Sequence, residues 1–382
     1  MHDGRVREVL LDGGTRAVHA LAEALSEALA GGPAVLPVAD GSVRAAMAPD
    51  KPVEPGTAVI VATSGSTGEP KGVLLSAGAL RASADATHER LGGPGGWLLA
   101  MPAHHVAGIQ VLVRTILAGR DPAVLDLTGG FRPSTFVAAA APVLATPGPH
   151  YTALVPTQLS RLVRDEAGLA ALRAFDGVLI GGAATPQRLV DQARAAGVRM
   201  WTTYGMSETA GGCVYDGVPL RGVRVRLGDG GVIELGGPTL SHGYRLRPEL
   251  TAQAFAGQWF RTSDLGRLDG DHLTVLGRVD DVINTGGEKV PAAAVERVLC
   301  ARPGVGEACV VGLPDPEWGE RVVALVVPDG TPPATADLQA AVRAELGAAA
   351  TPKEIRFAPA MPLRGPGKID RTAVRATLAH GN

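Results

Sequence analysis

The period of the apolar positions changes along the chain. Over residues 15 to 31, Val18, Leu21, Leu25 and Leu29 recur at helical spacing and the run stops at Gly31 and Gly32, which predicts an amphipathic helix with a glycine stop. Further on, short β-branched runs end abruptly in loops of small residues: TAVIVAT into SGSTG, DGVLIGG into AATP, and VRMWTTY into GMSE. Helical stretches such as PTQLSRLVRD and PQRLVDQARAAG lie between them. That order predicts parallel strands joined by crossover helices. Ligands of such sheets bind beyond the carboxyl ends of the strands, so three polar loops at three strand ends are expected to converge on one pocket.

Past about residue 220 the pattern turns to hairpins, in GVRVRLGDGGVIELGG and DHLTVLGRVDDVINTGG. From Pro291 a helix with proline in its first turn leads into the runs EACVVGL and RVVALVV, and a further helix is expected at about residues 335 to 347. This βαββα order reads as a small α+β unit. The fold expected is therefore α/β, with a large N-terminal domain of parallel or mixed sheets and crossover helices, residues 1–277, and a smaller mobile α+β domain, residues 278–382. The boundary is placed in the charged turn between Gly277 and Asp281.

Composition narrows the partners. With 382 residues and 46% hydrophobic content, the chain can bury a large core, which excludes disorder for most of it. The 36 Lys plus Arg against 38 Asp plus Glu leave a net charge of -2 and no general attraction to nucleic acid, so a small molecule is the expected partner. A homodimer is compatible with this composition. The N-terminal MHDGRVREVLLDGG lacks the apolar core of a signal peptide, and no apolar run is long enough to form an integral membrane segment. Cys213, Cys300 and Cys309 have neither zinc-site spacing nor an even count, which fits a reducing cytoplasm.

The sharpest local signal is TSGSTGEPKG, residues 63 to 72. Thr63, Ser64, Gly65, Ser66, Thr67 and Gly68 offer hydroxyls and unobstructed backbone N–H groups to phosphate oxygens, and Lys71 adds a positive charge. It is not a Walker A loop, since Lys71 follows Pro70 and precedes Gly72. A flexible surface loop is the bland alternative, disfavoured by this density of Gly, Ser and Thr directly after an apolar strand.

This string closely resembles the phosphate loop of the adenylate-forming enzymes, a family of acyl-CoA synthetases, peptide-synthetase adenylation domains and luciferases. TYGMSET (203–209) is similar to that family's adenine and metal motif, RTSDLG (261–266) to its ribose motif, GRVDDVINTGGEKVPAAAVE (277–296) to its hinge motif and GPGKIDR (365–371) to its catalytic-lysine motif. The five run in family order from residue 63 nearly to the end of the chain.

The resemblance implies ATP, Mg²⁺ and coenzyme A as cofactor and co-substrates, with a small carboxylic acid as the group activated. It assigns Lys368 to the charge that develops when a carboxylate attacks the α-phosphate. Glu208 becomes the Mg²⁺ ligand, since magnesium takes few carboxylates plus phosphate oxygens. Tyr204, Gly205, Met206 and Ser207, with Gly182 and Ala183, surround the adenine; Asp264 accepts from the ribose hydroxyls and Arg278 adds a donor. Without their motifs, Glu208 and Asp264 would read as loop carboxylates, Lys368 and Arg278 as surface charges, and Tyr204 as core packing. Asp280 is the implied hinge of a moving lid, with Gly286 and Gly287 on the pantetheine path; a plain tight turn is the rival reading of those glycines.

The acid pocket is implied by MPAHHVAG (101–108), where the family carries a histidine three positions after the proline. That position is His105, and His104 precedes it, so both are candidates. Adjacent histidines on a strand seldom face the same way, which argues against a metal site. Gly211 and Gly212 complete the expected pocket. Within the family, TALVPTQLSRLV, GGAATP and TYGMSETAGGCVYDGVPL are similar to the o-succinylbenzoate-CoA ligase group, as is the short stretch of about sixty residues before the phosphate loop. Other aryl or fatty acyl-CoA ligases share the same motifs, and a catalytically dead nucleotide-binding protein is the alternative of a different class.

Overall fold

The computed structural model describes residues 6–64, 70–363 and 369–379. The expected first helix spans Thr15–Leu29 and buries Val18, Leu21, Leu25 and Leu29 on one face. It is capped by Ala30, and Gly31 takes the left-handed conformation (φ 93°) that lets the chain turn away.

The runs DGVLIGG and VRMWTTY become the strands Gly177–Ile180 and Met200–Met206, parallel to each other and to His150–Leu154, inside a seven-stranded sheet. Its edge is antiparallel, where Gly211–Tyr215 folds back on Met200–Met206. Alternate residues serve opposite faces, as a strand's pleat requires. Tyr151, Ala153 and Leu179 pack into one core with the helices Thr15–Leu29, Ala77–Leu91 and Val106–Leu117. Leu154, Val178 and Ile180 pack into the other, with helices between residues 133 and 195.

TAVIVAT departs from expectation. It forms Val59–Ser64 in a separate four-stranded sheet, parallel to Ala34–Val38 on one side but antiparallel to Pro70–Leu75 on the other. Its next partner in sequence is therefore an antiparallel strand instead of a crossover helix. A fully buried apolar run reads the same in either setting, because burial on both faces removes the alternation that would betray its neighbour's direction.

The hairpins expected after residue 220 are present. Arg224–Leu227 with Val232–Gly236, and Trp259–Asp269 with His272–Arg278, belong to one five-stranded sheet. The chain leaves that sheet at Arg278, passes through the 3-10 turn Val279–Asp281, and enters the last sheet at Val282. There the long hairpin Val305–Asp315 with Gly319–Pro328 carries EACVVGL and RVVALVV. Ala308 and Val310 face a core under the helices Ala292–Cys300 and Thr335–Leu346, while Cys309, Val311 and Leu313 face a second core with Met361, Val374 and Leu378.

The strand Glu354–Phe357 and the helix Arg371–Ala379 extend beyond the elements expected from the sequence. Arg371 fastens that helix. It donates to both oxygens of Glu296, at 2.7 and 3.1 Å, and pairs with Asp281 at 3.0 Å. A guanidinium paired in this bidentate way fixes orientation as well as charge.

Candidate functional site

Met200–Met206 is the spine of the site. It carries Tyr204, Gly205 and Met206 and runs into the 3-10 turn Ser207–Thr209, which presents Glu208. Gly205 is required by packing: a Cβ there would collide with the Gly211 carbonyl oxygen. The return strand can thus lie close enough to bring Gly211 and Gly212 back beside the same strand end.

Two ionic clusters bridge this spine to other sheets. In the first, Lys71 Nζ donates to Glu208 Oε1 at 2.8 Å, and the Tyr244 hydroxyl donates to the same oxygen at 2.8 Å. Lys71 also donates to the Tyr244 hydroxyl at 3.2 Å and lies 4.4 Å from the centre of its ring. The Glu208 side chain is 7% exposed, so its charge depends on these donors. Burial, with the neighbouring carboxylate, raises the Tyr244 hydroxyl far above the ordinary phenol range and keeps it a donor. Glu208 Oε2 accepts no hydrogen bond among the described residues. A buried carboxylate with one oxygen uncommitted among the described residues, paired through the other with Lys71, fits a Mg²⁺ ion completed by phosphate oxygens.

In the second cluster, Tyr204 donates its hydroxyl to Asp264 Oδ2 at 2.8 Å, which fixes the ring across the site. Asp264 pairs in register with Arg278, whose guanidinium lies 4.0 Å from Asp264 Oδ1 and 3.2 Å from Asp280 Oδ2. Thr262 Oγ1 accepts the Asp264 backbone N–H at 3.0 Å. Burial raises the Asp264 carboxyl above its ordinary value, against the Tyr204 bond and the Arg278 charge, which lower it.

Thr63 pairs with Lys71 across the hairpin and its hydroxyl donates to the Lys71 carbonyl at 3.3 Å. Ser64 closes the strand. Gly65, Ser66, Thr67 and Gly68 lie outside the described residues, as does Lys368. The chain on either side of the 364–368 segment is joined by an antiparallel bridge between Leu363 and Ile369. Gly182 adopts φ 82° just past Gly177–Ile180, with exposed Ala183 beside it. Gly286 and Gly287, at φ 58° and 82°, make the two-residue turn between Val282–Thr285 and Glu288–Pro291 that hairpin twist favours. A Cβ on Gly286 would stand 2.8 Å from the exposed Trp318 indole.

The two histidines correct an expectation. They lie in a turn ahead of Val106–Leu117, not on a strand, so their rings sit side by side with centroids 4.2 Å apart. Burial lowers the His104 pKa, against the opposing charge of Asp40. Among the described residues, no group of three or more His, Cys, Asp or Glu side chains is placed to hold a metal ion.

Two residues escaped the sequence reading. Tyr244 stands in SHGYRLRPELT, a string from which no chemistry was read. Arg114 stands in the apolar helix VAGIQVLVRTIL, where a lone charge on a core-facing position was the available signal. Arg114 is 3% exposed, its Nε has no hydrogen-bond partner, and no carboxylate pairs with it among the described residues. Its guanidinium lies 5.0 Å from the Trp97 ring centre. One turn earlier, Gln110 packs against Gly211: a Cβ on that glycine would be 3.3 Å from Gln110 Cγ. Arg114 is therefore about 6 Å further along the same helix face, toward Trp97 and His88 and away from the histidines at the helix start.

Comparison with known proteins gives matches over most of the chain. The AMP-binding enzyme profile matches residues 6–244, and the AMP-binding enzyme C-terminal domain profile matches residues 294–368. A probable 2-succinylbenzoate–CoA ligase of Mycobacterium tuberculosis is 47% identical over 346 residues, 89% of each chain. A feruloyl-CoA synthase of Amycolatopsis sp is 33% identical, over 86% of this chain and 71% of that one. Among solved structures, the amide bond synthetase McbA of Marinactinospora thermotolerans superposes with a TM-score of 0.81 at 27% identity, covering 99% of this chain and 90% of that one. The o-succinylbenzoate CoA synthetase of Bacillus subtilis, in complex with ATP and magnesium, shares the fold, with a TM-score of 0.79 at 23% identity over 97% of this chain and 89% of that one.

Proposed function

The chain belongs to the AMP-binding enzymes, and from that premise we propose that it is an ATP-dependent acid–CoA ligase acting on o-succinylbenzoate. The acid's carboxylate attacks the α-phosphorus of ATP, releasing pyrophosphate and leaving an acyl-adenylate. The CoA thiol then attacks the acyl carbon, losing its proton and expelling AMP.

In this reading Tyr204, Gly182 and Ala183 seat the adenine, and Asp264 with Arg278 holds the ribose. Thr63, Ser64, the 65–68 segment and Lys71 hold the phosphates. Glu208 is the protein ligand for Mg²⁺, which supplies charge neutralisation on the polyphosphate when bound. Lys368 serves the α-phosphate. His104, His105, Gly211 and Gly212 line the acid.

The observation that carries the choice of acid is the 47% identity with a probable 2-succinylbenzoate–CoA ligase over 89% of each chain, and Arg114 is the cation we assign to the second carboxylate. A buried cation without a counter-charge is costly, and a site that keeps one is suited to an anion arriving with the ligand. o-Succinylbenzoate brings two carboxylates, one to be activated and one to be held. The relative described as a feruloyl-CoA synthase favours the second reading, an aryl acid with a single carboxylate. CoA-dependent AMP release, measured across a panel of acids, separates the two: o-succinylbenzoate should be turned over best. The Arg114→Met variant should raise KM for that acid by roughly 10 to 100-fold, the loss expected for one charge-assisted contact, and leave KM for ATP unchanged. A preference for benzoate, ferulate or octanoate, with Arg114→Met silent, would sink the dicarboxylate reading.

The second half-reaction needs a different partner at the same carbon, and the lid proposal follows from that. Residues 278–382 are proposed to turn as a unit about Asp280, bringing first Lys368 and then the Gly286–Gly287 turn to a site built on residues 1–277. Asp280→Pro, which fixes φ near about -65°, should preserve adenylate formation, read as ATP–pyrophosphate exchange, and abolish most thioester synthesis. Wild-type rates in both steps would exclude rotation at this residue.

A further inference from the structure

Lys71 and Glu208 are assigned above to different jobs, one to phosphate and the other to a divalent cation, yet here they are bonded to each other at 2.8 Å. Of the three N–H donors of Lys71, one goes to Glu208 and one to the Tyr244 hydroxyl, so it can give phosphate more than a single bond only by leaving one of them. Once it leaves Glu208, the remaining donor to that carboxylate among the described residues is the Tyr244 hydroxyl.

Tyr244 is built to stay where it is. Its backbone bridges Val73 of the strand that carries Lys71. Leu74 N–H donates to the Gly243 carbonyl at 3.0 Å and Arg245 N–H to the Gly72 carbonyl at 2.8 Å, so the residues on both sides are stitched to the same strand. Its own N–H donates to Thr251 Oγ1 at 2.9 Å, its ring packs against Phe255 with centroids 6.0 Å apart, and the whole residue is 4% exposed. Lys71 is the mobile partner by comparison, a long flexible side chain that is 29% exposed.

We propose that Tyr244 is a positioning residue that holds Glu208 in place while Lys71 transfers from that carboxylate to phosphate. The proposal rests on the reading of Lys71 and Glu208 given above and deepens it. The Lys71 ammonium on Glu208 Oε1 keeps the buried carboxylate neutralised. On nucleotide entry Lys71 finds phosphate, and Glu208 Oε1 joins Oε2 in being open to the metal, so metal and triphosphate are taken up together. Tyr244 is the fixed point of that exchange, because its hydroxyl touches both partners and its ring and backbone are locked.

The test compares two ligands by calorimetry in Tyr244→Phe, which removes one oxygen and keeps the ring. ATP with Mg²⁺ uses Glu208 and Lys71, whereas AMP without metal uses the adenine, ribose and α-phosphate contacts, has no β- or γ-phosphate for Lys71, and doubles as the check on folding. The variant should bind MgATP roughly tenfold more weakly, the cost of one hydrogen bond to a charged group, and bind AMP as the wild type does. The Mg²⁺ concentration needed for half-maximal ATP–pyrophosphate exchange should rise in parallel. Equal weakening of both nucleotides would mark a merely structural tyrosine and overturn the proposal, as would unchanged MgATP binding. Wild-type protein that binds neither nucleotide would overturn the site reading itself and this proposal with it.

Discussion

Arg245 and Arg114 are both almost wholly buried, and the protein treats them in opposite ways. The Arg245 side chain is 1% exposed. It donates to the carbonyls of Met47, Ala48, Lys51 and Pro52 and to Glu54 Oε2, at distances of 2.7 to 3.0 Å. One guanidinium thereby gathers a loop that would otherwise bury unpaired carbonyl groups against the 59–64 and 70–75 hairpin. Arg114 has an aromatic face beneath it and an unpaired Nε. A buried polar group is worth little net when satisfied and costs heavily when not. The difference therefore separates a charge used to build the fold from one held in reserve.

The largest effect that sharpens this contrast is expected at Arg245. Its replacement by Ala strands four carbonyls and Glu54, and should lower unfolding stability by about 3 to 5 kcal/mol, read from the urea midpoint. A loss below about 1 kcal/mol would put the pair among ordinary surface contacts and dissolve the contrast.

The next effect is one of pH. His88, beside Arg114 and Trp97, has its pKa lowered from 6.5 to about 4, first by burial and then by the Arg114 charge. Because the unfolded chain takes up that proton first, the His88 contribution is complete above pH 6.5 and lost as pH falls toward 4. The loss should reach at most about 3 kcal/mol, and Arg114→Met should reduce it by removing the second cause. An acid-induced loss identical with and without Arg114 would show that the two do not communicate.

The smallest effect is the stability of Arg114→Met itself. Exchanging an unpaired buried charge for an apolar side chain of similar length should leave the midpoint unchanged or raise it by about 1 kcal/mol. A loss above about 2 kcal/mol would assign Arg114 to the fold and remove the reason to give it a ligand.

Legibility followed the same division. Glu208, Asp264, Tyr204 and Lys71 could be singled out because each sits in a string that resembles a family motif, and the structure joins Lys71 to Glu208 and Tyr204 to Asp264. Tyr244 and Arg114 could not be singled out, because their significance comes from contacts between distant segments: Tyr244 meets Lys71 across 173 positions. The buried strands of the seven-stranded sheet were legible from their apolar runs, while the antiparallel partner of Val59–Ser64 was not. The helix Arg371–Ala379 was missed because only Val374 and Leu378 anchor it, too few positions for a period to declare itself.

The clasp formed by Arg371 sets a schedule for the chain's birth. Glu296 is translated 75 residues before the arginine that neutralises it, and Asp281 earlier still. At about 5 to 20 residues per second the carboxylates wait on the order of ten seconds for their partner to be made. During that interval the hairpin Val305–Asp315 with Gly319–Pro328 has one apolar face without its closing helix. A nascent chain stalled anywhere in that stretch carries exposed hydrocarbon on that face, the kind of surface that chaperones attend to in unfinished protein.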